Sequence, residues 1–150
     1  MGLAIEAARR GVRAGQSPFG CAIVRQGEVL AVAHNRVWQE TDATAHAEVN
    51  AIREACRGEE TIDLSGSTLY ATCEPCPMCF SAAHWARVGR VVYGASIADA
   101  REAGFNELEI AADKMREVGA SRIELVAGCR LEDCRELFRL WQELGRGQPY

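Results

Sequence analysis

His46-Ala47-Glu48 and, downstream, Glu74-Pro75-Cys76-Pro77-Met78-Cys79 supply what a hydrolytic zinc centre needs: one imidazole, two thiols and a carboxylate. A catalytic zinc takes three protein ligands and keeps a fourth position for water, and the borderline-soft ion accepts thiolate and imidazole alike. His46, Cys76 and Cys79 are therefore the candidate ligands, and Glu48 is left over to carry protons. Cys73 makes a second C-x-x-C with Cys76, so the pair has to be chosen. Thr68-Leu69-Tyr70-Ala71-Thr72 reads as a strand that leaves Cys73 at its end, whereas Cys76 and Cys79 share a helix face at i, i+3. Taken singly, each cysteine could be a small buried hydrophobe and His46 an ordinary core residue. The coupling of metal ligands to a general base in one pattern is what points to catalysis.

Two helices must position these groups. Residues 42–56, DATAHAEVNAIREAC, carry Ala45, Val49, Ile52 and Ala55 as an apolar stripe with Glu48, Arg53 and Glu54 off it. That pattern predicts a helix capped by Asp42 or Thr44, with His46 and Glu48 in its first turn. Pro75 suits the opening of a second helix over residues 76–86. Both ligand sets then lie at helix N-termini, where the positive end of the backbone dipole favours thiolate and hydroxide.

The rest of the chain reads as alternating elements without repeat, linker or low-complexity stretch. A helix is expected over residues 3–14, a loop over 15–20, and a hairpin from strands 21–25 and 28–33 turning at Gln26-Gly27. After the motif elements come a strand at 90–93, a Gly-punctuated loop at 94–104, a helix near 107–118, a strand at 122–126 and a helix at 132–144. Buried β-branched strands need cover on both faces. The expected fold is thus a three-layer α/β/α sandwich around a five-stranded mixed sheet.

At 150 residues and 48% hydrophobic content, residues 1–150 are expected to form a single domain that needs no disulfide staples. Seven cysteines is an odd number, and residues 1–10 are charged and amphipathic rather than an export signal, so a cytoplasmic protein with reduced thiols is expected. Cys21, Cys56, Cys129 and Cys134 are read as core or incidental. A net charge of −4, with Lys114 the only lysine, weighs against a general polyanion binder, although a local arginine patch is compatible with it.

The order of elements, with HAE and PCxxC, resembles the cytidine deaminase-like superfamily over essentially the whole chain; this pairing of motifs is a known signature of zinc deaminases acting on bases. Within it the sequence is most similar to bacterial guanine deaminases and next to tRNA-specific adenosine deaminases. The residues that carry the guanine likeness are Pro18-Phe19-Gly20, Asn35, the stretch from Thr44 to Val49, the stretch from Cys73 to Cys79, Trp85-Ala86-Arg87, Glu102-Ala103-Gly104-Phe105 and the terminal Tyr150. Residues 121–139 are about as similar to the adenosine branch.

The resemblance implies a zinc-dependent aminohydrolase, guanine to xanthine foremost, with Zn2+ on His46, Cys76 and Cys79 and Glu48 as proton shuttle. The alternatives are adenosine-to-inosine deamination in tRNA, which would bring in a nucleic-acid partner, or deamination of another base such as cytosine. A catalytically silent metal-binding module is disfavoured by the intact Glu48. By the resemblance, Asn35 holds the base edge through an amide that donates and accepts. Phe19 is a pocket wall, and Glu107 supplies the acceptor that the adjacent N–H groups of guanine require. Asp99 is the alternative acidic contact, and an acid in the first turn of a helix is the ordinary role for Glu107. Trp85 either closes the pocket over a flat base or packs in the core; Trp38 and Trp141 are read as core or interface. Residues 145–150 are expected to form a lid bearing Tyr150, within the chain or reaching a partner subunit. No membrane contact is expected, and a homodimer is.

Overall fold

The computed structural model describes residues 1–145 and 148–150. α1 (Gly2–Arg13) leads into β1 (Gly20–Arg25), which turns into β2 (Glu28–His34). Gln26 and Gly27 at that turn have φ of 51° and 85°, the left-handed pair that a two-residue hairpin needs to match strand twist. Then follow α2 (Val37–Glu40), α3 (Ala47–Gly58), β3 (Ser67–Cys73), α4 (Pro77–Trp85) and β4 (Arg90–Ala95). α5 (Ile97–Glu102), α6 (Ala112–Val118), β5 (Glu124–Val126) and α7 (Leu131–Leu144) complete the order.

The strands form one five-stranded sheet in the order β2-β1-β3-β4-β5. β1 runs antiparallel to both neighbours, with Cys21 opposite Ala33 and Ala71, while β3, β4 and β5 are parallel, Leu69 beside Val91 and Val91 beside Leu125. Apolar side chains leave both faces. On one, Ile23, Leu69 and Val91 meet Ala51, Ile52 and Ala55 of α3 and Phe80 and Ala83 of α4. On the other, Ile5, Ala8 and Val12 of α1 meet Leu137, Phe138 and Trp141 of α7. Each fully buried aliphatic or aromatic side chain contributes about 1.5–3 kcal/mol, so both helical layers are held by their apolar stripes. The result is the expected α/β/α sandwich. Gly20 shows how closely α1 lies on the sheet: a Cβ there would stand 2.0 Å from the Ala4 carbonyl oxygen. No helix among the described residues is long and apolar enough to cross a membrane.

Several boundaries differ from expectation. The 42–56 helix begins only at Ala47, with His46 as its N-cap, because the Asp42 side chain accepts from the Thr44 amide (2.8 Å) and hydroxyl (2.7 Å) in a turn of its own. Neither Asp42 nor Thr44 caps that helix. In α4 the opening proline is Pro77, not Pro75, and Cys76 is the N-cap. The segment expected as a loop over 94–104 contains α5, started by a capping box between Ser96 and Asp99. The helix expected from 107 starts at Ala112, which leaves Glu107 on irregular backbone.

Candidate metal centre and the cavity above it

The sheet directs the site. β3 and β4 are parallel, and β2 runs the same way as β3 across the antiparallel β1, so all three end at one edge. Crevices beyond the carboxyl ends of strands are where open α/β sheets bind ligands. At this edge β2 delivers Asn35, β3 delivers Cys73 and the chain on to Cys76, and α3 and α4 begin.

His46 and Cys76 are both N-cap residues with extended backbone, at φ −65° and −62° respectively. His46 Nδ1 lies 3.7 Å from Cys76 Sγ and 3.5 Å from Cys79 Sγ. Zinc with Zn–N of about 2.0 Å and Zn–S of about 2.3 Å at a tetrahedral angle requires an N···S separation of roughly 3.5 Å. The three donor atoms all lie within 4.8 Å of one another, and theirs is the one such cluster found among the described residues. The donor set therefore fits zinc in type and spacing. Cys73 is not part of it: buried at the end of β3, its thiol donates to the Ser96 carbonyl at 3.4 Å.

Glu48 follows in the first turn of α3 and is only 7% exposed. Burial pushes its carboxyl up to about 7, against the pull of the His46 ring. The Cys79 thiol as hydrogen-bond donor, helped by His46, holds Cys76 down to about 4, while the same contact and burial push Cys79 up. Zinc bound on both sulfurs would require both thiols to give up their protons. Burial works against a charged His46 ring, but Cys76 and Glu48 leave it raised.

Above the cluster, Phe19, Glu48, Glu74 and Glu107 line an inner crevice shared with His46 and Cys76. Beside it, sharing His46, Cys76 and Glu107, lies a space of 260 Å³ bounded by Ala43, Pro77, Met78, Asn106, Leu108 and Tyr150. Phe19 stands edge-on to Phe105, ring centres 4.9 Å apart. Asn35 is fully buried; its Oδ1 accepts from the Val37 amide at 3.2 Å, and its Nδ2 donates to the Tyr150 hydroxyl at 2.5 Å. Burial raises the carboxyl of Glu107, with Cys76 adding to it. The Tyr150 ring lies 5.5 Å from that of His46 and 5.7 Å from that of Phe105, and its carbonyl accepts from the Asn106 amide at 3.0 Å. Of the expected lid, Arg146 and Gly147 lie outside the described residues; its last three, Gln148-Pro149-Tyr150, lie over this chain's own cavity.

Two expected residues are elsewhere. Trp85 is 78% exposed and borders a separate groove with Phe80, His84 and Met115. Six residues (85 minus 79) at about 100° each turn it roughly 120° away from Cys79 around the helix, which is why it misses the cavity. Asp99 closes the capping box of α5 and pairs with Arg135 at 2.9 Å, on a groove against α7. Two residues matter here beyond the sequence reading, which took Trp38, in fact 45% exposed, as core or interface and gave Glu74 no role. Trp38, on the unexpected α2, donates its indole N–H to the Gln148 carbonyl at 2.8 Å, and Glu74 accepts from the Ile97 and Ala112 amides. Their partners are too far along the chain for any local signal to have found them.

A family profile, the cytidine and deoxycytidylate deaminase zinc-binding region, matches residues 1–95. A guanine deaminase of Bacillus subtilis is 48% identical over 105 residues, 69% of this chain and 67% of that one. A tRNA-specific adenosine deaminase of Aquifex aeolicus is 44% identical over 93 residues, 62% of each, so these alignments span about two thirds of the relatives. The solved guanine deaminase from Nitrosomonas europaea superposes with a TM-score of 0.87 at 29% identity, covering 95% of this chain and 82% of that one. With a zinc-competent cluster at the strand edge and these likenesses, the chain belongs to the cytidine and deoxycytidylate deaminase zinc-binding family of hydrolytic deaminases.

Proposed function

We propose that this protein deaminates a free purine base, guanine to xanthine foremost. The observation that carries the reading is the closed tail: Tyr150 roofs the space over His46, tied to Asn35 at 2.5 Å and supported by the bond from Trp38 to the Gln148 carbonyl at 2.8 Å. The 260 Å³ space beside Tyr150 is of the size of one flat ring system, whereas a polynucleotide needs an extended basic groove. The net charge of −4 with a single lysine agrees with a small substrate.

When bound on His46, Cys76 and Cys79, zinc supplies the Lewis acid that brings a water's pKa from about 15.7 towards roughly 7. In this reading Glu48 does the proton work. The buried carboxylate at the cavity floor takes a proton from the attacking water as the new C–O bond forms. It delivers that proton to the ring nitrogen beside the target carbon, then passes the second water proton to the amino group. The C–N bond breaks, ammonia leaves and the carbon is left as a carbonyl. Glu107 accepts from adjacent ring and amino N–H groups of the base, and Asn35 offers its amide to the base edge. Phe19 and Tyr150 supply flat walls that keep water out.

Exposed Trp85 and Val118, at 78% and 74%, put apolar surface on the α4 and α6 side. A homodimer closing over it, of single-domain subunits working in the cytoplasm, completes the proposal. The 44% identity to a tRNA-specific adenosine deaminase carries the second reading, in which the tail would have to swing clear. Mass spectrometry of products from guanine, cytosine, adenine, nucleosides and tRNA, with the zinc-loaded enzyme, decides between them. Xanthine from guanine is expected; inosine in tRNA with guanine untouched overturns the reading.

A further inference from the structure

Glu74 stands two residues before Cys76 but is not one of the metal donors. Its carboxylate takes two backbone donors from distant parts of the chain, Ile97 N–H at 3.2 Å on Oε2 and Ala112 N–H at 2.8 Å on Oε1. These are the first residues of α5 and α6, whose amides have no partner within their own helix. The N-cap of α6 is Ala111, which has no side chain to offer, so Glu74 supplies from across the cavity the acceptor that this helix lacks locally. Glu74 is itself fixed, its amide donating to the Ala95 carbonyl at 2.8 Å.

Between the two anchored amides runs the irregular stretch 103–111, which carries Asn106 and Glu107. Glu74 and Glu107 line the same crevice as His46 and Glu48. The side-chain tie from this stretch back to α5, Arg101 to Glu109, joins groups that are 50% and 69% exposed and holds little. We propose that Glu74 is a positioning residue: its carboxylate clamps both ends of the Glu107 segment to the strand end that delivers Cys76, and so sets where Glu107 meets the substrate. The proposal rests on Glu107 as a substrate contact.

Glutamine has the shape of Glu74 but one oxygen only, so it turns an NH2 donor towards one of the two amides. Zinc-loaded Glu74→Gln, Glu107→Gln and the double variant are compared for metal content, kcat and KM on guanine, or on the base the product screen identifies, and amide exchange by mass spectrometry. Glu74→Gln is expected to keep its zinc and to lose about tenfold to a hundredfold in kcat/KM, the range that a small misplacement costs. In the Glu107→Gln background the same change should cost less than about threefold, because the clamp acts through the group already removed. Peptides covering 97–112 should exchange faster while those covering 47–58 do not change. Additive losses, or unchanged exchange over 97–112, overturn the clamp. If Glu107→Gln alone leaves turnover unaltered, the substrate role of Glu107 falls, and the positioning role with it. Should Glu74→Gln fail to fold, Ala112→Pro removes one donor at a position where proline is tolerated. Wild-type exchange and kcat/KM in that variant also overturn the proposal.

Discussion

On the metal side of the cavity, His46 and Cys76 each cap a helix, and Glu48 and Cys79 follow within the next turn. On the proposed substrate side, Phe19, Asn35, Glu107 and Tyr150 come from four separate stretches of irregular backbone and meet only because the sheet edge gathers them. The first wall is two local devices, set by spacings of two and three residues between functional groups, that meet across 30 residues of chain. The second is held by long-range contacts, such as Asn35 to Tyr150 and Glu74 to Ala112. The family profile covers residues 1–95, which include the whole metal wall, and ends before Glu107 and Tyr150. In the proposed reading, reaction type is written into short helical spacing, and substrate choice into the tertiary closure of loops and tail.

The comparison is broken most severely from the metal side. Cys76→Ala with Cys79→Ala should abolish zinc binding and all turnover, as should stripping the metal with a chelator, activity returning on zinc addition; metal analysis and a turnover assay check both. One tightly held zinc in the double variant would sink the ligand assignment, and Cys73→Ala should leave the zinc content unaltered. Glu48→Ala should keep the metal and lose more than about a hundredfold in kcat, since positioned proton transfer contributes 10²–10⁴-fold. Retained kcat in that variant would remove Glu48 from the proton path.

Substrate-side changes should be milder. Deleting residues 146–150 should leave folding and zinc intact while lowering turnover of guanine by about tenfold or more, as loss of a cover that excludes water predicts. Turnover equal to that of the full chain would show that the tail is no lid. The smallest effect is expected at Trp85, away from both walls. Light scattering should show the proposed dimer for the wild type and a monomer for Trp85→Ala, with per-subunit kcat/KM changed by less than about twofold. A large loss of turnover without a change of mass would return Trp85 to the site.

The metal wall was legible because it is built from two short motifs, His46 with Glu48 and Cys76 with Cys79, each at a helix start; that the two motifs, 30 residues apart, meet is the work of the fold. Every strand was legible too, from short β-branched runs between turn residues. α5 was hidden because its stretch reads as a loop, with Gly94 and Gly104 on either side, and it forms around a Ser96–Asp99 capping box. The late start of α6 was hidden because its first amide is satisfied by Glu74, 38 residues earlier. Trp85 was misplaced because proximity along a helix was taken for proximity in space, when six residues rotate the side chain onto another face.

By itself the sequence determined the sandwich and singled out His46, Glu48, Cys76 and Cys79 as two short motifs, because periodicity and i, i+2 or i, i+3 spacing act over one or two turns of backbone. Only the tertiary structure decided that Glu107 rather than Asp99 enters the cavity, that Trp85 faces solvent, and that Tyr150 lies over His46 on the hydroxyl side of Asn35. Those choices depend on which of several equally suited polar groups finds its partner first-hand in the folded chain, and a hydrogen bond spanning 115 residues leaves no trace in local composition.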